Sequence, residues 1–338
     1  MHKHHRKQLF AKSAILLALV VFAYSILVIQ IPIKEPRAWG VTFSHTYAKS
    51  LGLEWREVFE MMLDELGVRH LRLPIYWNEV SPAQGALDFD VYDYQMVRAE
   101  EFNAKVILAI GRKVPRWPEC HEPAWTRELS EKEQQEELLR YIEVVVGRYK
   151  ASSALVAWQV ENEPFLPFGE CPPLDVGFFD RELALVRKLD PSRPIVITDS
   201  GELSIWIRAA RRADIFGTTM YRTIYNKSVG QFTYPLPPSF FRAKRALTEI
   251  FVGHKPMVVI ELQAEPWGSA PVEKLSREES ERSMSPKKFR DAIAYASRSG
   301  FDEFYLWGVE WWYWLKVRGH DPEMWNIARE LFRSEQSQ

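Results

Sequence analysis

The run Trp158-Gln159-Val160-Glu161-Asn162-Glu163-Pro164 follows the apolar stretch Ala154-Leu155-Val156-Ala157, and Met257-Val258-Val259-Ile260 leads into Glu261. Short apolar runs bounded by polar residues read as buried strands. Glu163 and Glu261 then stand at the ends of two of them. Two carboxyl groups in one pocket, one protonated and one ionised, are the minimum equipment for cleaving a glycosidic bond. A single strand-end glutamate is most simply a rim ion pair, so the chemistry rests on the pair. The two lie far apart in sequence, and only a tertiary fold brings them together.

Other residues fall at matching heights. Arg72, in Leu71-Arg72-Leu73-Pro74, ends a strand and can orient a carboxylate and hold it ionised. Tyr221 ends another and can donate to Glu261. Trp307 ends a third and offers a floor for a sugar ring. Asn162 has an amide to give to a sugar hydroxyl, although asparagine also opens turns. Glu161, Asp199, Glu202, Glu265 and Glu310 also follow strands, and these are assigned to substrate binding or loop structure.

Positioning these groups requires a large α/β fold. Eight strand candidates appear: Trp39–Phe43, His70–Leu73, Lys105–Ile110, Leu155–Val160, Pro194–Thr198, Ile215–Tyr221, Met257–Ile260 and Glu303–Trp307. Helical patterns lie between them at Trp55–Leu66, Tyr92–Phe102, Glu131–Tyr149, Arg181–Leu189, Leu203–Ala213, Ser239–Phe251 and Lys287–Ser299, with Pro322–Phe332 last. In Glu131–Tyr149, Leu138, Leu139, Ile142, Val145 and Val146 share one stripe. Eight alternations with mostly continuous apolar strands predict an α/β (β/α)8 TIM barrel over residues 38–332. The alternative is an open doubly wound sheet, but no glycine-rich phosphate loop follows the first strand. Connections after strands are long and those after helices short, as a barrel that builds its site from βα loops requires.

This combination resembles the clan A retaining glycoside hydrolases, and the nearest group is the cellulase/mannanase family, glycoside hydrolase family 5. The resemblance rests on Asn162-Glu163-Pro164, Glu261, Leu71-Arg72-Leu73-Pro74, Tyr221 and Trp307. Gly40–Phe43, then Leu71–Trp77 with Trp-Asn-Glu and Ser-Pro following, are also similar to the β-galactosidase families of the clan. The resemblance implies Glu163 as acid/base, Glu261 as nucleophile and Arg72 as its support. It also implies Asn162 on the sugar 2-hydroxyl, Tyr221 as the sixth-strand tyrosine and Trp307 as the platform. The implied activity is double-displacement cleavage of β-glycosidic bonds in an oligo- or polysaccharide, with neither metal nor organic cofactor. A membrane-anchored transglycosylase and a non-catalytic carbohydrate-binding barrel are the alternatives.

The chain has 338 residues and a formal charge of −1, so nothing points to nucleic acid. It holds 13 Trp. Those in predicted loops, among them Trp77, Trp125, Trp267, Trp311, Trp312 and Trp314, favour an extended β-glycan, with Trp77 and Trp267 as substrate contacts. At the N-terminus, residues 13–33 are nearly all apolar, about the length that spans a bilayer. Lys3, Arg6, Lys7 and Lys12 in the tail 1–12 predict a cytoplasmic N-terminus and a single-pass anchor, with the barrel outside the cytoplasm at the cell membrane. The alternative is a signal peptide cleaved after Ala23-Tyr24-Ser25. The only cysteines, Cys120 and Cys171, lie in Pro-rich loops and form a disulfide candidate in an exported protein.

Overall fold

The computed structural model describes residues 36–336. The basic tail 1–12 and the expected spanning segment 13–33 lie outside them. Among the described residues no helix is long and apolar enough to cross a membrane.

Ten strands are present among the described residues: β1 (Ala38–Thr42), β2 (His70–Pro74), β3 (Lys105–Ile110), β4 (Leu155–Val160), β5 (Ile195–Asp199), β6 (Ile215–Met220), β7 (Thr223–Asn226), β8 (Gly230–Thr233), β9 (Met257–Gln263) and β10 (Glu303–Trp307). Eight of them pair in parallel and close in the order β1-β10-β9-β6-β5-β4-β3-β2. The eight expected strands are therefore the eight staves. The pair β7–β8 is an unexpected antiparallel hairpin inserted after β6.

The staves are buried on both faces, which is why they read as continuous apolar runs rather than alternating ones. Ile107, Ala157, Val196, Val258, Ile260 and Tyr305 fill the barrel interior. Their alternates, such as Val106, Leu108, Trp158, Ile197 and Leu306, pack outward against the helices. Gly40 faces inward because nothing larger fits. A Cβ there would lie 2.6 Å from the His70 carbonyl and 2.8 Å from the Tyr305 ring.

Most helices match their sequence periods, including Trp55–Asp64, Asp90–Glu101, Glu131–Tyr149, Val176–Leu189, Pro238–Val252 and Pro286–Ala296. Glu131–Tyr149 starts with a full capping box from Ser130 and Glu133. Two expectations are corrected. Leu203–Ala213 is helical only over Ile207–Ala210, because Trp206 turns inward to pack on Phe216 and Phe241. The tryptophan-rich stretch after β10 is a helix, Val309–Val317, with Trp311 and Trp312 buried. Trp77 is likewise 1% exposed and stacks on Tyr141 in the core. It is not a sugar contact, and aromatic content alone could not separate core from cleft.

Candidate active site

One irregularity in β9 sets the site. Val258 and Ile260 belong to the interior cluster and Val259 and Leu262 to the outer one. Strict alternation from Ile260 would turn Glu261 outward. Instead β9 carries an extra residue: Thr218 pairs with Val259, but Thr219 already pairs with Glu261. The register against β10 slips at the same place. This bulge turns both Ile260 and Glu261 inward, and Thr42 Oγ1 donates to the freed Ile260 carbonyl at 3.5 Å. Glu261 therefore lies within its strand, two residues before the end, and not at the strand end expected.

Arg72 faces inward from β2 with no exposed surface. Its Nη1 donates to Glu261 Oε1 at 2.7 Å, Nε to Gln159 at 2.8 Å and Nη2 to Asn162 Oδ1 at 2.7 Å. The second Glu261 oxygen accepts from the Tyr221 hydroxyl at 3.1 Å. Both carboxylate oxygens are thus held, one by a donor on β2 and the other by the residue that follows β6.

Glu163 sits three residues past β4, in the bends that follow it. Glu161 and Glu163 have φ of +59° and +41°, a region few non-glycine residues occupy and one that concentrates at functional sites. The surroundings fix them there. The Glu161 carboxylate accepts from Arg112 N and Lys113 N, each at 2.7 Å. The Glu163 N–H donates to Thr198 Oγ1 at 2.7 Å. Thr219, the register partner of Glu261, donates to Glu163 Oε1 at 3.4 Å. The two carboxyls therefore flank one threonine. Burial raises the Glu163 pKa well above the carboxylate range, and the negative charges of Glu261 and Glu119 add to it.

Glu161 ties its loop to the segment after β3 through the Arg112 and Lys113 backbone N–H groups. Glutamine there keeps one of two acceptor oxygens for the buried N–H groups. Glu161→Gln is expected to lower stability by about 1–3 kcal/mol, read by thermal unfolding, while the folded fraction keeps most of its turnover. A dead Glu161→Gln beside an active Glu163→Gln would reverse the two assignments.

The segment after β3, expected as a plain loop, is a hairpin. Residues 111–121 fold back on themselves, with Val114 N donating to the Glu119 carbonyl and His121 N to that of Arg112. The hairpin reaches across the barrel mouth. Arg116 donates to Glu265 at 2.5 Å and to Glu310 at 3.0 Å. Its guanidinium lies between the rings of Tyr47 and Trp307, 3.7 and 4.0 Å from their centroids. Trp307 does end β10, but it is only 8% exposed beneath that arginine. Glu119 accepts from Asn162 Nδ2 at 3.1 Å, and its pKa is pushed up to about 7 by burial and by Glu261. Lys113 donates to the carbonyls of Glu163 and Leu166 at 3.1 and 2.9 Å. The remaining strand-end acids serve loops: Asp199 accepts from Ser200 N and Glu202 from Tyr221 N.

Cys120 and Cys171 are free thiols here, so the expected bridge is not formed. The hairpin and the loop after Glu163 nevertheless place them as neighbours, and the interaction with Cys120, followed by burial, raises the Cys171 pKa. Oxidised glutathione is expected to convert the pair to a disulfide, with a mass loss of two thiol hydrogens and a gain of up to about 4 kcal/mol for a loop of this length. Two titratable thiols persisting after that treatment would rule the bridge out.

A cavity of about 440 Å³ is lined by the loop after β4 together with Arg112, Glu161, Phe165, Cys171 and Glu182. Neither Glu163 nor Glu261 lines it, so it is not the space in which the carboxyl pair would meet a substrate.

No protein-family model matches the chain, and no curated protein matches it in sequence. Solved structures do match its fold. A cold-adapted β-galactosidase from Rahnella sp. R3 superposes with a TM-score of 0.61 at 14% identity, over 91% of this chain and 57% of that one. The β-galactosidase of Halorubrum lacusprofundi gives 0.55 at 16% identity, over 80% and 52%. Endoglycoceramidase II from Rhodococcus sp. gives 0.52 at 16% identity, over 82% and 75%. The chain thus spans little more than half the length of the β-galactosidases it matches. At such identities the likeness shows the fold: a closed (β/α)8 barrel of the kind these glycosidases use.

Proposed function

We propose that this protein is a retaining glycoside hydrolase of the clan A type that cleaves β-glycosidic bonds, with Glu163 as acid/base and Glu261 as nucleophile. The carrying observation is the pair itself. One buried carboxyl is paired with a buried guanidinium and a phenol. Its neighbour has its pKa raised by burial first and then by the negative charges of Glu261 and Glu119, which favours the protonated form. Environments that separate two carboxyls in this way mark acid and anion in one site.

In the first step Glu163 gives its proton to the leaving oxygen as the Glu261 carboxylate attacks the anomeric carbon. Ester formation removes the Glu261 charge, and the Glu163 pKa falls with it. Glu163 can then deprotonate the water that releases the sugar with retained configuration. The fold neighbours support the reading, since they are glycosidases and one was captured as a lactosyl-enzyme intermediate. No family model matches the chain, so nothing favours family 5 over the other families of the clan. The test is a screen of the barrel on β-linked polysaccharides and aryl glycosides, with the first-formed anomer followed by NMR. An inverted product, or no turnover on any substrate, would sink it.

We further propose that residues 13–33 anchor the barrel outside the cytoplasm, as their length and the preceding basic tail suggest. Salt-resistant membrane partitioning, with the barrel open to protease added outside intact cells, is the expected result. A soluble form beginning near residue 26 would replace the anchor with a cleaved signal.

A further inference from the structure

Four aromatic rings, each from a different βα loop, form one unbroken line from the nucleophile to solvent. Tyr221, which donates to Glu261, meets Trp267 with ring centroids 5.4 Å apart. Trp267 meets Phe168 at 6.4 Å, and Phe168 meets Trp117 at 6.1 Å. Exposure grows outward: Tyr221 and Trp267 are half-buried, Phe168 is 41% exposed and Trp117 65%.

Trp117 is at the tip of the hairpin after β3, and Phe168 is in the loop that carries Glu163. These loops are laced together. Glu170 N donates to the Pro118 carbonyl at 3.0 Å, and Gly169 lies where a Cβ would be 2.7 Å from that of Glu119. The outer rings are thus held in place by backbone contacts while their own surfaces stay wet. Folding gains little from rings left in water, so burial within this chain does not account for the row.

The geometry points to this row as the binding site for the leaving group, and to a leaving group that is itself a chain of sugars. The inference rests on the glycosidase reading and deepens it. Glu163 must deliver its proton to the leaving oxygen, so the leaving side of the bond runs along the Glu163 loop, toward Phe168 and Trp117. Trp307 is not part of the row: its ring is covered by Arg116, whose guanidinium lies 4.0 Å from its centroid.

The choice of a sugar chain follows from the one-sidedness of the row. An alkyl chain gains in proportion to the total area removed from water. Against an open row it would keep much of its surface wet. A pyranose has a flat C–H face and a polar periphery, so contact on one face is enough. Three successive ring contacts extend beyond a single hexose, which predicts that affinity grows with chain length.

The test uses the full chain carrying Glu163→Gln, so that binding is read without turnover. The probes are gluco-, manno-, xylo- and galacto-oligosaccharides with β linkages, from disaccharides upward, beside octyl and nitrophenyl glycosides of the same sugars. Affinity is expected to rise with oligosaccharide length. Adding Trp117→Ala or Phe168→Ala should remove about tenfold of that gain, and Trp117→Phe should restore part of it. In the chain with Glu163 intact, the same substitutions should lower kcat/KM for oligosaccharides about tenfold relative to nitrophenyl glycosides.

Length-independent affinity, equal losses on both substrate types, or a larger gain for octyl glycosides than for oligosaccharides would overturn the inference. Length-dependent binding through Trp117 without any cleavage would sink the hydrolase and keep the row. Cleavage of nitrophenyl glycosides with no length dependence would do the reverse.

Discussion

Glu261→Gln is expected to lower kcat by at least about a thousandfold on every substrate, the scale on which correctly placed ionisable groups act. The amide nitrogen is a poor nucleophile, and the neutral side chain no longer balances Arg72. Glu163→Gln should cost as much on substrates with poor leaving groups. It should cost less in the first step on nitrophenyl glycosides, whose leaving oxygen needs little protonation. That contrast separates acid from nucleophile, and equal behaviour of the two variants would remove the assignment. The pH profile carries the same information. Glu163 must be protonated to act, and its pKa is raised by burial, then by Glu261 and Glu119. Activity should therefore persist above the ordinary carboxylate range and fall as pH rises through the raised value. Glu119→Gln removes one of the charges that raise it, so the alkaline limb should move to lower pH. A limb that stays in place, or moves up, would contradict the electrostatic account.

Arg72→Met has the second largest expected effect. The guanidinium is fully buried and bonds Glu261, Gln159 and Asn162 at once. Its loss strands the Glu261 carboxylate without a counter-charge, a situation that costs about 3–5 kcal/mol. The denaturation midpoint should fall by a corresponding amount, and turnover should nearly vanish even in the folded fraction. Arg72→Lys keeps the charge but not the fork that reaches three acceptors. It should fold better than Arg72→Met and remain strongly impaired. Full activity in Arg72→Lys would show that charge alone matters and that the positioning of Asn162 and Gln159 does not.

Much of this molecule is legible in its sequence. The eight staves are plain because parallel strands buried on both faces must be apolar throughout, as Val106–Ile110 and Met257–Ile260 are. The helix over Glu131–Tyr149 shows in its stripe because one face meets the barrel and the other meets water. The candidates Arg72, Asn162, Glu163, Tyr221 and Glu261 can be picked out because polar groups at the ends of apolar runs are uncommon, and the fold gathers all five into one network, with Glu163 joined to Asn162 through Thr198.

The rest is decided by contacts far apart in sequence. No local signal announces the bulge that turns Glu261 inward, because it exists only as a mismatch of register with β6 and β10. The hairpin after β3 looks like any Pro-rich loop until Glu265 and Glu310 receive Arg116. Tryptophan is equally ambiguous. Trp77 and Trp312 sit in predicted loops and are core, whereas Trp117 is exposed beside the site. Periodicity records whether a side chain is buried along its own element. Which neighbours bury it, and which way a distorted strand turns it, are properties of the closed barrel.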